Sequence, residues 1–286
     1  MTETAGYNAS QEEIMKTGSD PGRRAALGAL AGVLLAPGSG RAAASAETDR
    51  WSDLAPLMFP GKALRDGSSL IEIEAPYRAE DAAVVPVTLR TTLAAGNPLQ
   101  VRKITLVIDA NPVPVAATFT IGPDSGIDRI ATRVRVDDYT NIHAVAELSD
   151  GGLYAASRFV KAAGGCSAPA LKQVAGDIPR GTLRFREFPL NESGLREAQV
   201  MVRHPNYSGM QMDQLSRLYI PADFIQTLRI SQADRLLLMV EGGISISENP
   251  SFRFSFRPDQ GKTFQVEAAD SNGRQFSATF PADTAA

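Results

Sequence analysis

The sequence predicts an all-β protein: two antiparallel β-sandwiches of immunoglobulin-like size, joined by a linker containing Gly and Pro. Three observations carry this. Ile71 and Ile73 alternate with Glu72 and Glu74, and Val134 and Val136 alternate with Arg133 and Arg135, the two-residue period of half-buried strands. Short apolar segments recur between Gly, Pro, Asn and Asp turn signals, in one series before residues 161–181 and a second series after them. Helical periodicity is scarce, limited to a short helix that Ser52 and Asp53 would open.

In the first series, strands are expected at residues 71–74, 84–89, 101–108, 133–136, 141–148 and 153–160. Asp150-Gly151-Gly152 joins the last two as a hairpin turn, because glycine accepts the positive φ that such turns require. The second series begins at Thr182 and continues through residues 198–203, 224–230, 236–240, 252–256, 264–268 and 275–280. Phe252, Phe254 and Phe256 share one face of their strand and Arg253, Ser255 and Arg257 the other, which predicts a sheet with one wet side. No Cys–Trp–Cys pattern points to an antibody-type domain. The expected organisation is therefore a leader over 1–46, sandwiches over 47–160 and 182–286, and a linker over 161–181. Leu171 and Val174 in that linker are expected to pack on a domain, leaving the flexible part around Cys166.

Composition narrows the function. Apolar residues make up 43% of the chain and charged residues 21%, the balance of a globular protein able to bury a core without disulfides. A net charge of -3 with no basic run argues against nucleic acid or an anionic membrane as partner. At the N-terminus, Arg23 and Arg24 precede the apolar run 25–36, and Ala44-Ser45-Ala46 supplies a small-residue cleavage signal. This pattern predicts export to the periplasm, by a twin-arginine-like signal or an ordinary secretory one, with a mature chain beginning near Glu47.

Cys166 is the only cysteine, and exported proteins usually pair their cysteines or lack them. It is an inert buried thiol, a partner in an intermolecular disulfide, or a reactive group. Gly164-Gly165 on one side and Ser167-Ala168-Pro169 on the other favour the last, since a thiolate on a mobile segment can attack another sulfur and be released by exchange. Lys161 could raise the thiolate fraction, or be merely solvated.

The run Phe159-Val160-Lys161-Ala162-Ala163-Gly164-Gly165-Cys166 resembles the C-terminal carrier arm of the SoxY subunit of the sulfur-oxidising SoxYZ complex. Asn111-Pro112, residues 130–136 and 145–148 fit the same subunit. Residues 202–210, with His204-Pro205-Asn206-Tyr207, and 243–250, with Ser247-Glu248-Asn249-Pro250, resemble SoxZ. The chain is thus similar to a SoxY–SoxZ fusion, of the type associated with quinoprotein alcohol dehydrogenases. The resemblance implies a carrier of sulfur intermediates, as in thiosulfate oxidation, with Cys166 as the covalent attachment point and Gly164 and Gly165 as the flexible joint. It implies partner enzymes that load and unload the thiol, intramolecular pairing of the two domains, and no cofactor, metal or catalytic residue of the chain's own. Two features differ from the family: Ser167-Ala168 replaces the glycine pair after the cysteine, and the arm runs on into a second domain. Both restrict its motion.

Other residues offer competing chemistry. His143 and His204 with Cys166 and Met210 or Met212 hold the residue types of a copper site, but His204 lies far downstream of the cysteine and structural histidines are the preferred reading. His143 as the base of a Cys166 hydrolase or transferase suffers because a flexible linker is a poor place for a preorganised nucleophile. Arg203, Arg253 and Arg257 are either anion-binding or solvated. The competing function is a noncatalytic scaffold that serves a periplasmic quinoprotein dehydrogenase, with the thiol incidental.

Overall fold

The computed structural model describes residues 50–93, 97–169, 178–190, 194–258 and 263–282; the expected leader, Leu171 and Val174 lie outside them. The one helix among these residues, α1 (Arg50–Met58), begins two residues before the expected Ser52. None is long and apolar enough to cross a membrane. Everything else regular is strand, in two sheets.

The first half supplies β1 (Leu64–Asp66), β2 (Ile71–Glu74), β3 (Val85–Thr91), β4 (Val101–Ile108), β5 (Val115–Ile121), β6 (Arg129–Val134), β7 (Thr140–Leu148) and β8 (Leu153–Val160). The second supplies β9 (Leu183–Phe188), β10 (Arg196–Val202), β11 (Ile225–Gln232), β12 (Arg235–Gly242), β13 (Ser251–Phe256), β14 (Thr263–Asp270) and β15 (Gln275–Pro281). Each half is a two-layer sandwich, and the expected all-β fold holds. The halves are also joined edge to edge. One nine-stranded sheet runs β1-β8-β7-β4-β5-β12-β11-β14-β15, and one six-stranded sheet runs β2-β3-β6-β13-β10-β9. The seams are β5 against β12, from Ile121↔Leu238 to Ala117↔Gly242, and β6 against β13, through Ile130↔Phe254. Thr48–Ala286 is accordingly one compact unit.

Alternation explains which side chains enter the core. In β3 and β14 every second residue is buried, so Val85, Val87 and Leu89, like Phe264, Val266 and Ala268, point between the sheets. Phe119 of β5 meets Phe252 of β13 edge to face at 6.2 Å, and Phe256 meets Phe264 at 5.6 Å. A single apolar core thus crosses the boundary between halves.

The wet side expected for β13 needs correction. Ser251 and Ser255 are buried, and the Ser255 hydroxyl accepts hydrogen bonds from the Asp128 and Arg129 amides, 3.0 Å each. Side chains from the flanking strands and loop cover much of this second face, with Gln199 donating to the Ser251 hydroxyl at 2.9 Å and the Ser255 hydroxyl donating to Asp128 at 2.5 Å. Arg253 reaches solvent in part, paired with Glu197 and lying 4.0 Å over the Phe188 ring. Arg257 falls beyond the strand and is exposed.

Candidate functional site at Cys166

Leaving β8, Lys161 donates its amide to the Tyr77 carbonyl and accepts from Ala79, and its ammonium lies 5.0 Å over the Tyr77 ring and 6.0 Å from that of Tyr139. The lysine serves these aromatic faces. The chain then turns. Gly164, at φ +75°, donates to the Asp137 carbonyl at 2.7 Å, Gly165 to the Val136 carbonyl at 3.0 Å, and the Cys166 amide to Asp137 Oδ1 at 3.2 Å. The residues just beyond β6 are therefore one wall of the turn.

The other wall comes from the second half. The Ser208 hydroxyl donates to the Cys166 carbonyl, and Gln211 Nε2 donates to the Ala168 carbonyl at 2.9 Å. Both side chains are buried. Beneath lies Arg135, 1% exposed, whose Nη1 and Nη2 reach the Gly165 and Asn206 carbonyls at 3.4 and 3.3 Å. Its Nε has no hydrogen-bond partner among the described residues. Asn111 braces this floor by donating to the Arg135 carbonyl and to Ser245 Oγ, 2.8 Å each.

Cys166 itself is fully buried and unpaired, although Ala163, Ser167 and Pro169 around it are exposed. It is shallow. Burial pushes the thiol up to about 12, the Asp137 charge adds to this, and the Arg135 guanidinium opposes it. In this conformation the sulfur is protonated and shielded, the opposite of an activated nucleophile.

In this conformation the glycine joint is closely packed. Gly165 is not a loose hinge here, because a Cβ on it would lie 2.1 Å from the Ala82 carbonyl oxygen and 2.6 Å from that of Val136. Its lack of a side chain lets two backbones touch. Gly164 faces open space and is required for its left-handed φ alone.

The two histidines belong to separate structural sites. His143 Nδ1 pairs with Asp109 Oδ1 at 2.9 Å while its ring stacks on Trp51 of α1 at 3.9 Å, which fastens the helix to β7. His204 Nδ1 accepts the Asn206 amide at 3.1 Å, which places the ring proton on Nε2, 3.5 Å from carboxylates of both Asp223 and Asp270. These three residues have the donor types of a metal site. Arg274, however, binds Asp223 at 2.6 Å and Asp270 at 2.5 Å, and Arg180 binds Asp223 at 2.5 Å. Two arginines balance two carboxylates, so the cluster reads as a charge-neutral tie. Arg203 is likewise engaged, with Asn249 Oδ1 at 3.0 Å.

That tie sets a pH dependence. Burial holds His204 below its ordinary value, against the pull of Asp223. Burial would raise Asp223 and Asp270, but Arg274 and Arg180 at Asp223, and Arg274 with the Asn272 amide at Asp270, together outweigh it and both end below the usual carboxylate range. All three groups bind protons more readily when unfolded, so their stabilisation is present at neutral pH and is lost as pH falls, first through the imidazole range and then through the carboxylate range. Thermal unfolding followed from about pH 8 to about pH 2 should show this two-stage loss, and His204→Gln should flatten only the upper stage.

Asp223 also closes a hairpin. Tyr207 and Asp223 form one backbone bridge and Met212 and Tyr219 another, and the tip between them exposes Leu215, Leu218 and Tyr219. Met210 and Met212 lie along this hairpin, with Met212 partly exposed.

Comparison with known families decides the identity. Residues 57–166 match the sulfur oxidation protein SoxY, and residues 189–281 match the sulphur oxidation protein SoxZ. The chain is a SoxY–SoxZ fusion. Its SoxY part ends, as matched, on Cys166 itself. Among solved structures, it is similar to the sulfur carrier protein SoxY from Chlorobium limicola f thiosulfatophilum, at 28% identity over 39% of this chain and 94% of that one, with a TM-score of 0.33. The superoxide reductase (neelaredoxin) from Ignicoccus hospitalis follows at 15% identity, covering 32% of this chain and 79% of that one, with a TM-score of 0.29. No curated protein matches the chain.

Within the SoxY–SoxZ fusion, the cysteine was legible in the sequence and its surroundings were not. Asp137, Arg135, Ser208 and Gln211 converge on the turn from places scattered along the chain. Position within the SoxZ-like run 202–210 marked Ser208, but no spacing rule marked its function.

Proposed function

We propose that this SoxY–SoxZ fusion is a periplasmic covalent carrier of sulfur intermediates, with Cys166 as the attachment point and Gly164-Gly165 as the joint on which it leaves its pocket. One observation carries the reading: the turn that ends the SoxY match is held through backbone atoms of residues 164–168, so the cysteine side chain is not what secures it. A buried thiol whose turn holds without it is free to be chemically modified.

Loading needs the turn to open. Once solvated, the thiol recovers an ordinary acidity, and its thiolate attacks the terminal sulfur of a sulfur–sulfur bond, forming one S–S bond as the displaced sulfur leaves with the electron pair of the bond that breaks. No outside oxidant enters this exchange. Oxidation and hydrolysis of the bound sulfur fall to partner enzymes, since the described residues around Cys166 offer no activated base to it.

Burial of the thiol also favours a second reading, in which the fusion is a scaffold for a quinoprotein dehydrogenase and Cys166 merely fills space. Intact mass spectrometry and peptide mapping of protein isolated without reductant separate the two. The carrier reading expects sulfur-containing adducts on Cys166 that a thiol reductant removes, and loss of activity in Cys166→Ser. Unmodified thiol under every sulfur-oxidising growth condition, together with full function of Cys166→Ser, supports the scaffold.

A further inference from the structure

We propose that the hairpin 207–223 of the SoxZ half is a clasp that keeps Cys166 withdrawn, and that its lifting from the linker is the step that presents the thiol. The hairpin touches the linker on both sides of the undescribed stretch 170–177. Upstream, Ser208 holds the Cys166 carbonyl and Gln211 holds the Ala168 carbonyl. Downstream, Asp223 at the base of the hairpin holds Arg180. Asp223 is itself anchored to Arg274, so the base of the hairpin stays and a single displacement of the part beyond it releases the Ser208 and Gln211 ties together.

The two walls of the turn differ in how firmly they are built. Asp137 and Val136 continue directly from β6, which lies inside the six-stranded sheet, and Val136 is further tied to the Ala82 carbonyl. The hairpin belongs to neither sheet. It is closed by isolated bridges and a few backbone bonds, such as Ile220 to Gln211 at 2.8 Å, and its tip stands in solvent with Leu215 95% exposed. Segments with few buried contacts open at lower free energy than sheet strands, so the hairpin is the wall that yields. Little travel is needed, because the residues flanking the cysteine are already at the surface.

The inference uses the carrier reading only for why the thiol should emerge; the clasp itself is tested without cargo. The measurement is the rate of Cys166 alkylation by iodoacetamide in the full folded chain. Expected are a slow wild-type rate, a several-fold increase in Ser208→Ala and in Gln211→Met, and an increase of about tenfold or more in the double variant, as loss of two hydrogen bonds implies. Leu215→Ser, at the tip and away from the linker, should alkylate at the wild-type rate. Ile104→Val in β4, adjusted in temperature to the same margin below its unfolding midpoint, controls for general loosening. Two outcomes overturn the clasp: wild-type rates in the double variant, or equal acceleration in Ile104→Val. Absence of any sulfur adduct in isolated protein would count against the carrier and leave these rates unchanged.

Discussion

Gly165→Val is expected to drive the cysteine turn off the protein. The added Cβ would overlap the Ala82 and Val136 carbonyls, backbone atoms at the edge of β3 and β6 that cannot move aside cheaply. Overpacking of this kind costs about 1–3 kcal/mol, and here the strain is relieved by letting the turn go. Alkylation of Cys166 should then approach the rate of an exposed thiol, a far larger change than clasp variants produce, while the sandwiches still unfold cooperatively. Gly164→Ala makes the informative contrast: it meets nothing closer than Ser167 Oγ at 3.9 Å, so it should cost only about 1 kcal/mol for an alanine held at positive φ. A Gly165→Val protein with wild-type thiol protection and melting temperature would show that the turn does not pack as described.

The second large effect lies at the seam between halves. Phe119→Ala and Phe252→Ala should each cost about 3–5 kcal/mol, roughly a fifth or more of the stability of an ordinary domain. Because the two rings touch, the double variant should lose less than the sum. Denaturant unfolding of the wild type should give one transition for both halves. Residues 47–168 and 169–286 produced as separate chains should recombine into one complex, and either Phe→Ala change should weaken that complex. Two independent transitions, or fragments that ignore each other in gel filtration, would contradict the shared core.

How much of this was readable beforehand depends on the strand. β2, β3, β14 and β15 alternate strictly, since one face meets the core and the other meets water, and their positions follow from pattern alone. β5 escaped, because Val115-Ala116-Ala117 holds no polar residue to set the rhythm and the alternation Thr118-Phe119-Thr120-Ile121 fills only its second half. β1 is three residues long, too short to carry any period. The seams were hidden for a related reason: nothing local in β12 records that its neighbour is β5. At the site, Gly-Gly-Cys looked like a hinge because glycine serves both free motion and close contact. Only the position of Ala82, more than eighty residues away in sequence, tells which of the two is at work in this conformation.

The edge-to-edge joining bears on how the protein must be made. Ser247 donates to the Ala83 carbonyl, a contact spanning 164 residues, and β6 waits for β13 across a comparable length of chain. While the second half is still being synthesised, β5 and β6 present open hydrogen-bonding edges flanked by the apolar side chains of Phe119 and Ile130. Such edges pair readily with those of another nascent molecule. Closure over loops this long is slow. Carrying both halves on one chain therefore places the covering strands where no other molecule competes for them, and the yield of soluble protein should depend on holding the half-made chain apart from its neighbours until β12 and β13 arrive.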